Sequence, residues 1–310
     1  MTVSYKQIVD AVNKVLSSYS AAMTLRQIYY RLVSINLIPN TKTSYKTLSK
    51  QLVKARERKD VDEDRIEDRS RAVLGNGDSS GYNSKDDFIK YQLHRIKTSA
   101  SYWNAPLWKN QTNKLFVVVE KDALSRLFSD VAGDYRVQVY PEKGYGSYTF
   151  VNDMAADLDE EKENVVLYFG DYDPSGRDIE RDMEARLERY TKGSATFRIS
   201  RIALTTEQIQ EYKLPPKPED AETLAKIARD PRSAKYGTEF VVELDALEPD
   251  VLKNLIGKAI LNELDQDQWN KDVEEIQTTQ AELKDLFRDA RIILSDGTEI
   301  QDDRAPEDSS

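Results

Sequence analysis

The sequence predicts an α/β protein in which a Rossmann-like, mostly parallel sheet follows an N-terminal helical domain. Two observations predict this fold. From residue 113 onward, runs of β-branched and aromatic residues alternate with amphipathic segments of helical length, and parallel strands need such helical connections. Within the first 60 residues, apolar residues recur at helical spacing instead. The stretch "GNGDSSGYNS", rich in glycine and serine, lies between the two patterns and predicts a linker.

Three helices are predicted before residue 60, the second with Thr24 as its N-cap. Three short helices joined by tight turns are typical of a helix-turn-helix or winged-helix unit, and equally of a generic helical bundle. Spacing alone does not separate these two interpretations. The apolar stripes are Ile8, Val12, Val15 and Leu16; Leu25, Ile28, Tyr29 and Leu32; and Tyr45, Leu48 and Leu52.

The third helix carries a row of basic residues. Across residues 42–59 there are seven basic side chains and only Glu57 opposes them, a local charge of +6. A solvated surface usually mixes both signs, so this row favours contact with nucleic-acid phosphates over a role in solubility. The predicted DNA-binding residues are Lys42, Lys46, Lys50, Lys54, Arg56 and Arg58.

Composition excludes several kinds of site. The 310 residues include no cysteine and one histidine, which excludes disulfides, iron–sulfur clusters and thiolate zinc sites and disfavours His-rich metal sites and a Ser-His-Asp site. No apolar run reaches the roughly 18 residues of a membrane span, so we expect a cytoplasmic, nucleoid-associated protein without a membrane partner. The net charge of −10 divides into +7 for residues 1–100 and −17 for the rest.

The α/β region is predicted element by element. Its strands are "KLFVVVE", "YRVQVY", "NVVLYFG" and "FRISRIAL", and its helices are "DALSRLFSDVA", "YTFVNDMAADLDEE" and "RDIERDMEARLERY". Further along, "YGTEFVVELDAL" predicts a strand, and a long amphipathic helix follows through Trp269 and Leu286. The last residues, "SDGTEIQDDRAPEDSS", predict an acidic disordered tail.

Acidic residues follow two of these strands. Glu120 closes the first strand, and Asp171 and Asp173 come directly after "VVLYF". The carboxyl ends of parallel strands meet at one edge of a sheet, so three carboxylates converge there and need a cation between them. Oxygen ligands favour Mg²⁺, with Mn²⁺ as a substitute. The alternative is that these acids cap helices, a common role for Asp.

These motifs resemble a known family. "VVVEKDALSRLF" and "FGDYDPSGRDI" are similar to the glutamate and Asp-x-Asp motifs of the Toprim domain, the metal-binding fold of topoisomerases and primases. Glu-Lys-Asp-Ala and Asp-Pro-x-Gly narrow the resemblance to the A subunit of topoisomerase VI and the meiotic double-strand-break protein, and most to the reduced, stand-alone Mini-A homologues of mobile elements and viruses. The chain departs from the family at "KGYGSYTF", where Gly-x-Pro and a downstream Arg are expected.

The same family has a winged helix whose tyrosine attacks DNA, and "TLRQIYYRL" is similar to its Arg-x-x-Tyr-Tyr motif. The match assigns the nucleophile to Tyr30. On a helical wheel Tyr29 lies with the apolar stripe, whereas Tyr30 lies about 140° from Leu25, which predicts that Tyr30 faces outward. Arg26, four residues earlier, is its neighbour and would bind the phosphate. The alternative is a half-buried structural tyrosine.

The resemblance implies a DNA-cleaving transesterase that forms a 5′-phosphotyrosyl bond with Mg²⁺ held by Glu120, Asp171 and Asp173. It implies a homodimer on double-stranded DNA, with Tyr30 of one protomer beside the metal site of the other, and a separate GHKL-type ATPase subunit. The expected domains are a winged helix (1–74), a linker with a bridging helix (75–112), a Toprim domain (113–205), a supporting C-terminal region (206–295) and the tail (296–310).

Two other functions remain open. A Toprim nuclease would cleave DNA with water, need the acids and dispense with Tyr30. A non-cleaving dimeric scaffold would bind DNA in a salt-dependent manner without Tyr30 or the acids.

Overall fold

The computed structural model of the chain describes residues 3–67, 81–142, 147–216, 225, 228–236 and 241–300. The chain forms two compact units. The first combines residues 1–71 with 112–264, and the second combines 72–111 with 265–310. The N-terminal helices and the sheet therefore belong to the same unit.

The three predicted N-terminal helices are confirmed as α1 (Tyr5–Ser17), α2 (Leu25–Ser34) and α3 (Lys42–Glu57). Thr24 caps α2 as predicted, because its hydroxyl accepts from the Gln27 backbone N–H while the Gln27 side chain accepts from the Thr24 N–H. Strand β1 (Met23–Thr24) pairs in parallel with β2 (Ile66–Glu67). This reciprocal cap fixes where α2 begins, and so the position of Tyr30 along it.

Strands and helices then alternate as predicted through residue 203. In chain order the elements are α4 (Lys85–Thr98), β3 (Asn113–Val119), α5 (Ser125–Asp134), β4 (Gln138–Pro141), α6 (Tyr148–Asp157), β5 (Glu163–Phe169), α7 (Pro174–Thr191), β6 (Thr196–Ala203), α8 (Thr206–Glu211), α9 (Ser233–Tyr236), α10 (Pro249–Leu261), α11 (Gln266–Arg288), β7 (Ile292–Ile293) and β8 (Glu299–Ile300). Of the helices in the described ranges, none is long and apolar enough to cross a lipid bilayer.

The main sheet has the strand order β4-β3-β5-β6, and every pair is parallel. The chain passes from β3 to β4 on one side and then returns to place β5 on the other side of β3. In open α/β sheets, ligands bind where the strand order reverses, outside the carboxyl ends of the strands. Glu120 and Asp171 follow β3 and β5, the two strands that border this point.

Both faces of the sheet are covered. Phe116, Val118, Val166 and Tyr168 belong to a buried core with residues of α6 and α7. The alternate positions of β3 and β5 face the other side, where the rings of Phe128 and Phe169 lie 4.9 Å apart. Burial on both faces explains why these strands read as continuous apolar runs.

Two predictions for the C-terminal part need correction. Tyr236, the first residue of the predicted strand "YGTEFVVELDAL", ends α9, and residues 237–240 lie outside the described residues. The remaining residues form one bridge, Val242 to Tyr172, followed by the 3₁₀ turn Leu244–Ala246. Disorder does not hold for residues 296–300, because β8 pairs antiparallel with β7; residues 301–310 are outside the described part. The long helix is confirmed as α11.

Candidate active site

Glu120 connects the ends of β3 and β5. Its backbone N–H donates to the Phe169 carbonyl at 2.9 Å, and its side-chain Oε2 accepts from the Asp171 N–H at 2.9 Å. Glycine is needed around this carboxylate, since a Cβ at Gly170 would lie 2.7 Å from Oε2 and one at Gly176 would lie 3.1 Å from it. The two glycines near the Asp-x-Asp motif therefore let the loop close over Glu120.

Asp171 is nearly buried, with 5% of its surface exposed. Its Oδ1 accepts from the Leu244 N–H at 2.8 Å and lies 3.3 Å from the Lys121 Nζ. The carboxylate thus joins the loop after β5 to residues 241–248, a segment that will be called the cover segment.

Asp173 is the N-cap of α7, with Pro174 at the first helical turn. Its Oδ1 accepts from the Gly176 N–H at 2.7 Å. The helix-capping role that the sequence offered as the alternative therefore applies to one oxygen of Asp173. The negative charge of Asp173 is also stabilised by the positive end of the helix dipole.

Arg201, on β6, fixes the shape of the loop after β5. Its guanidinium donates to the carbonyls of Asp171 at 3.3 Å and Gly176 at 3.0 Å, and it forms an ion pair with Glu180 at 2.7 Å. The guanidinium also lies 5.0 Å from the centre of the Tyr168 ring. The sequence interpretation missed Arg201 because its acceptors in this loop are backbone carbonyls, which no residue pattern reveals.

The carboxylates of Asp171 and Asp173 act electrostatically on Glu120. Burial, and next the negative charge of Asp171, raise the pKa of Glu120 to about 7, and Asp173 adds to this repulsion. A divalent cation would offset it, and oxygen ligands are those that Mg²⁺ prefers. Across the part of the chain that the structure describes, no group of three or more Asp, Glu or His side chains is arranged to hold a metal ion.

Replacing Glu120 with glutamine should remove a pH-dependent loss of stability. The folded-state pKa of about 7 exceeds the ordinary value of 4.5, so the folded chain holds this proton more tightly than the unfolded chain. The stabilisation is complete below about pH 4.5 and is lost as the pH rises towards 7. From pH 5 to pH 8, the difference in free energy of unfolding between Glu120→Gln and wild type should shift by about 1–3 kcal/mol in favour of the variant. Urea unfolding with a chelator present measures this difference.

The control for this experiment is Glu160→Gln, which alters an exposed glutamate in the same unit. Equal pH dependence in the Glu120 and Glu160 variants would contradict the assigned protonation of Glu120.

Lys121 is the centre of a buried ionic cluster. Its Nζ lies 2.7 Å from Asp245 Oδ2, 3.3 Å from Asp171 Oδ1 and 3.7 Å from Glu243 Oε2. Burial acts to lower the pKa of Lys121, but the carboxylates of Asp171, Asp245 and Glu243 outweigh it and raise the pKa well above its usual value. Lys121 is therefore a permanent cation between the sheet edge and the cover segment.

Tyr30 does not face outward. Its side chain is fully buried, and its hydroxyl donates to Glu243 Oε2 at 2.9 Å. Arg26 is its neighbour as predicted, and its guanidinium forms an ion pair with the same Glu243 oxygen. Burial, followed by the charge of Glu243, raises the pKa of Tyr30 above its ordinary value. Tyr29 is also buried, and its hydroxyl donates to Asn40 Oδ1 at 3.0 Å.

The cover segment explains the burial of Tyr30. It lies over the side of α2 that the helical wheel left open, and Arg31 anchors it by an ion pair with Glu248 at 2.6 Å and a hydrogen bond to the Ala246 carbonyl. Thr24 adds a hydrogen bond to Asp245 at 3.4 Å. A wheel of one helix shows which residues share a face, but it cannot show that a segment more than two hundred residues later covers that face.

The basic row of α3 is only partly accessible. Lys46, Lys50 and Lys54 are exposed, whereas Lys42 and Arg56 are half-buried. Arg58 is exposed, and its guanidinium lies 5.6 Å from the centre of the Tyr5 ring. The three exposed lysines recur every four residues, so they lie along one face of the helix.

Replacing Lys46, Lys50 and Lys54 with glutamine should weaken DNA binding at low salt. Loss of up to three phosphate contacts makes the fall of log affinity with log salt shallower, by a slope change of about 3 at most. Fluorescence anisotropy with a labelled duplex over a salt series measures this slope, and an unchanged slope would contradict the predicted DNA-binding role of these lysines. The matched control replaces three exposed lysines elsewhere: Lys258, Lys271 and Lys284.

Comparisons with protein-family models, with curated proteins and with solved structures found no match to this chain.

Proposed function

We propose that the chain is a DNA-cleaving transesterase of the topoisomerase VI A class, with Tyr30 as its nucleophile. The observation that best supports this proposal is the ionic network around Glu243 and Lys121. Glu243 contacts Tyr30 and Arg26, and it also lies beside Lys121, which pairs with Asp171. The tyrosine and the acidic loop, assigned from two different sequence motifs, are thus joined within one chain through two intermediate residues, Glu243 and Lys121.

In the proposed reaction, the Tyr30 Oη attacks a backbone phosphorus and forms a phosphotyrosyl bond to the 5′ side, while the bond from phosphorus to the 3′ oxygen breaks. The phenolic proton leaves Tyr30 and the 3′ oxygen gains a proton, so the reaction is balanced without a further reactant. Arg26 would bind the non-bridging phosphate oxygens, which suits the planar guanidinium. Because the number of phosphodiester bonds is conserved, the break can be resealed.

Glu120, Asp171 and Asp173 would supply the carboxylate oxygens that hold Mg²⁺ or Mn²⁺. When bound, such an ion supplies positive charge that stabilises the phosphate and the leaving oxygen. Arg201 would keep Asp171 in place by binding the backbone of the loop after β5. Asp173 would still cap α7 through Oδ1, which leaves its second carboxylate oxygen for the ion.

The proposed substrate is double-stranded DNA gripped by the exposed lysines of α3. The winged-helix and Toprim assignments, the homodimer and a GHKL-type ATPase partner belong to the same proposal, because they follow from the resemblance. The resemblance pairs Tyr30 with the acids of a second protomer, whereas the network of Glu243 and Lys121 favours the acids of the same chain.

A metal-dependent nuclease is the second candidate. The burial of Tyr30 and its raised pKa favour it, because both oppose formation of the phenolate that a tyrosine nucleophile needs. In a nuclease, water would attack the phosphorus and the products would carry no protein.

A covalent-trapping assay tests the proposal. Supercoiled DNA is incubated with the protein and Mg²⁺ or Mn²⁺, quenched with detergent, and analysed before and after protease digestion. We expect nicked or linear DNA that carries protein at its 5′ ends and is absent when a chelator is added first. Protein-free cuts that need the metal would identify the nuclease, and salt-dependent binding without cuts under any condition would favour the scaffold.

A further inference from the structure

One oxygen of Glu243 is surrounded by three donors. Its Oε2 accepts from the Tyr30 hydroxyl at 2.9 Å, forms the ion pair with Arg26, and lies 3.7 Å from the Lys121 Nζ. A guanidinium, an ammonium and a hydroxyl that converge on one oxygen form a site for an anion. In the folded chain a carboxylate of the protein itself fills that site.

The site can be reached from solvent on one side. The Arg26 side chain is 37% exposed, whereas the side chains of Lys121 and Glu243 are 19% and 11% exposed. An anion that approaches from solvent would therefore meet Arg26 first. Tyr30 has no exposed surface, so the phosphorus of a DNA strand can reach its hydroxyl only after Glu243 has moved away.

We propose that Arg26, Tyr30 and Lys121 form the binding site for one phosphodiester of the DNA backbone, and that Glu243 occupies this site as an internal competitor. The proposal deepens the proposed function and rests on it for the identity of the ligand. It assigns to Lys121 a direct contact with the phosphate, and to Glu243 the role of a carboxylate that the phosphate displaces.

The chemistry of the exchange is favourable. The same three donors serve a carboxylate oxygen and a phosphate oxygen, so exchange leaves neither Arg26 nor Lys121 without an anion. Leaving a buried charge unpaired is costly, and this cost would keep Glu243 in place until a phosphate arrives. The site would thus remain closed in the absence of DNA.

DNA binding by Glu243→Gln tests this inference without relying on cleavage. Glutamine keeps the shape of the side chain but removes its charge, so the phosphate no longer competes with an anion. By fluorescence anisotropy with a short labelled duplex and a chelator present, we expect the dissociation constant to fall about tenfold relative to a control variant, equivalent to about 1.4 kcal/mol. The control is Glu248→Gln, which removes one negative charge from the same cover segment. Glu248 pairs with Arg31 and not with Arg26 or Lys121.

A second change locates the effect. Adding Arg26→Gln to Glu243→Gln should cancel the gain, because the freed phosphate site depends on Arg26. If Glu243→Gln fails to fold, Glu243→Asp shortens the side chain at constant charge, and it should give a smaller gain of the same sign. Equal affinity of the Glu243 and Glu248 variants, or a gain that survives the loss of Arg26, would overturn the inference.

The outcomes separate this inference from the proposed function. Tighter binding by Glu243→Gln without any covalent adduct would support the phosphate site and reject the transesterase. An adduct formed by wild type, together with unchanged binding by Glu243→Gln, would support the transesterase and reject Glu243 as the competitor.

Discussion

Replacing Tyr30 with phenylalanine is expected to abolish the covalent protein–DNA adduct completely. The substitution removes only the hydroxyl, which is the attacking atom in the proposed reaction, and leaves the buried ring in place. Glu243 keeps its ion pair with Arg26, so no buried charge is left alone and the variant should fold. The measurement is the detergent-quenched trapping assay, with thermal unfolding to verify folding.

Tyr29→Phe is the matched control for this prediction. It removes the hydroxyl of the adjacent buried tyrosine, whose partners are Asn40 and the Thr41 carbonyl, and it should leave the adduct at wild-type yield. Adduct that persists in Tyr30→Phe, or is lost equally in both variants, would assign the attack to another group. Protein-free cuts that persist in Tyr30→Phe would identify the nuclease.

Replacing Lys121 with methionine is expected to be the most destabilising single change in the site. The substitution keeps the length of the apolar stem but leaves the carboxylates of Asp171, Glu243 and Asp245 close together without their shared cation. Removal of one partner from a buried ionic group typically costs about 3–5 kcal/mol. Urea unfolding at neutral pH with a chelator present measures the loss.

Two further variants show whether the loss comes from the ionic cluster. Lys59→Met breaks an exposed ion pair with Glu63 and should cost less than about 1 kcal/mol. Asp245→Asn, added to Lys121→Met, should recover part of the lost stability because it removes one of the repelling charges. A Lys121 variant as stable as the Lys59 variant would contradict the role of Lys121 as the central cation.

The sheet could be predicted because its signals are local. Each strand of the β3 to β6 series is a short apolar run next to an amphipathic segment, and helical crossovers dictate parallel pairing. The same logic predicted that Glu120 and Asp171 would lie at one edge of the sheet, since both follow directly on strands. The parallel pairing of β3 with β5 then places the ends of both strands at the same edge of the sheet.

The cover segment could not be predicted from local patterns. Its contacts with α2 join residues more than two hundred positions apart, so nothing near Tyr30 indicates that the side chain is buried. A weak signal was nevertheless available: Glu243 and Asp245 follow an apolar run at the same one-residue spacing as Asp171 and Asp173. Lys121, directly after Glu120, is the basic residue that those two acids require.

The cover segment links the position of the Asp171 loop to the position of Tyr30. The Leu244 N–H donates to Asp171, while the neighbouring Glu243 accepts from Tyr30, so adjacent residues hold the loop after β5 and the tyrosine. A displacement of this short stretch releases both contacts together, and its return restores both. In the proposed transesterase, the acids and Tyr30 would therefore become available in the same step, so that DNA would not be attacked when only one of them is released.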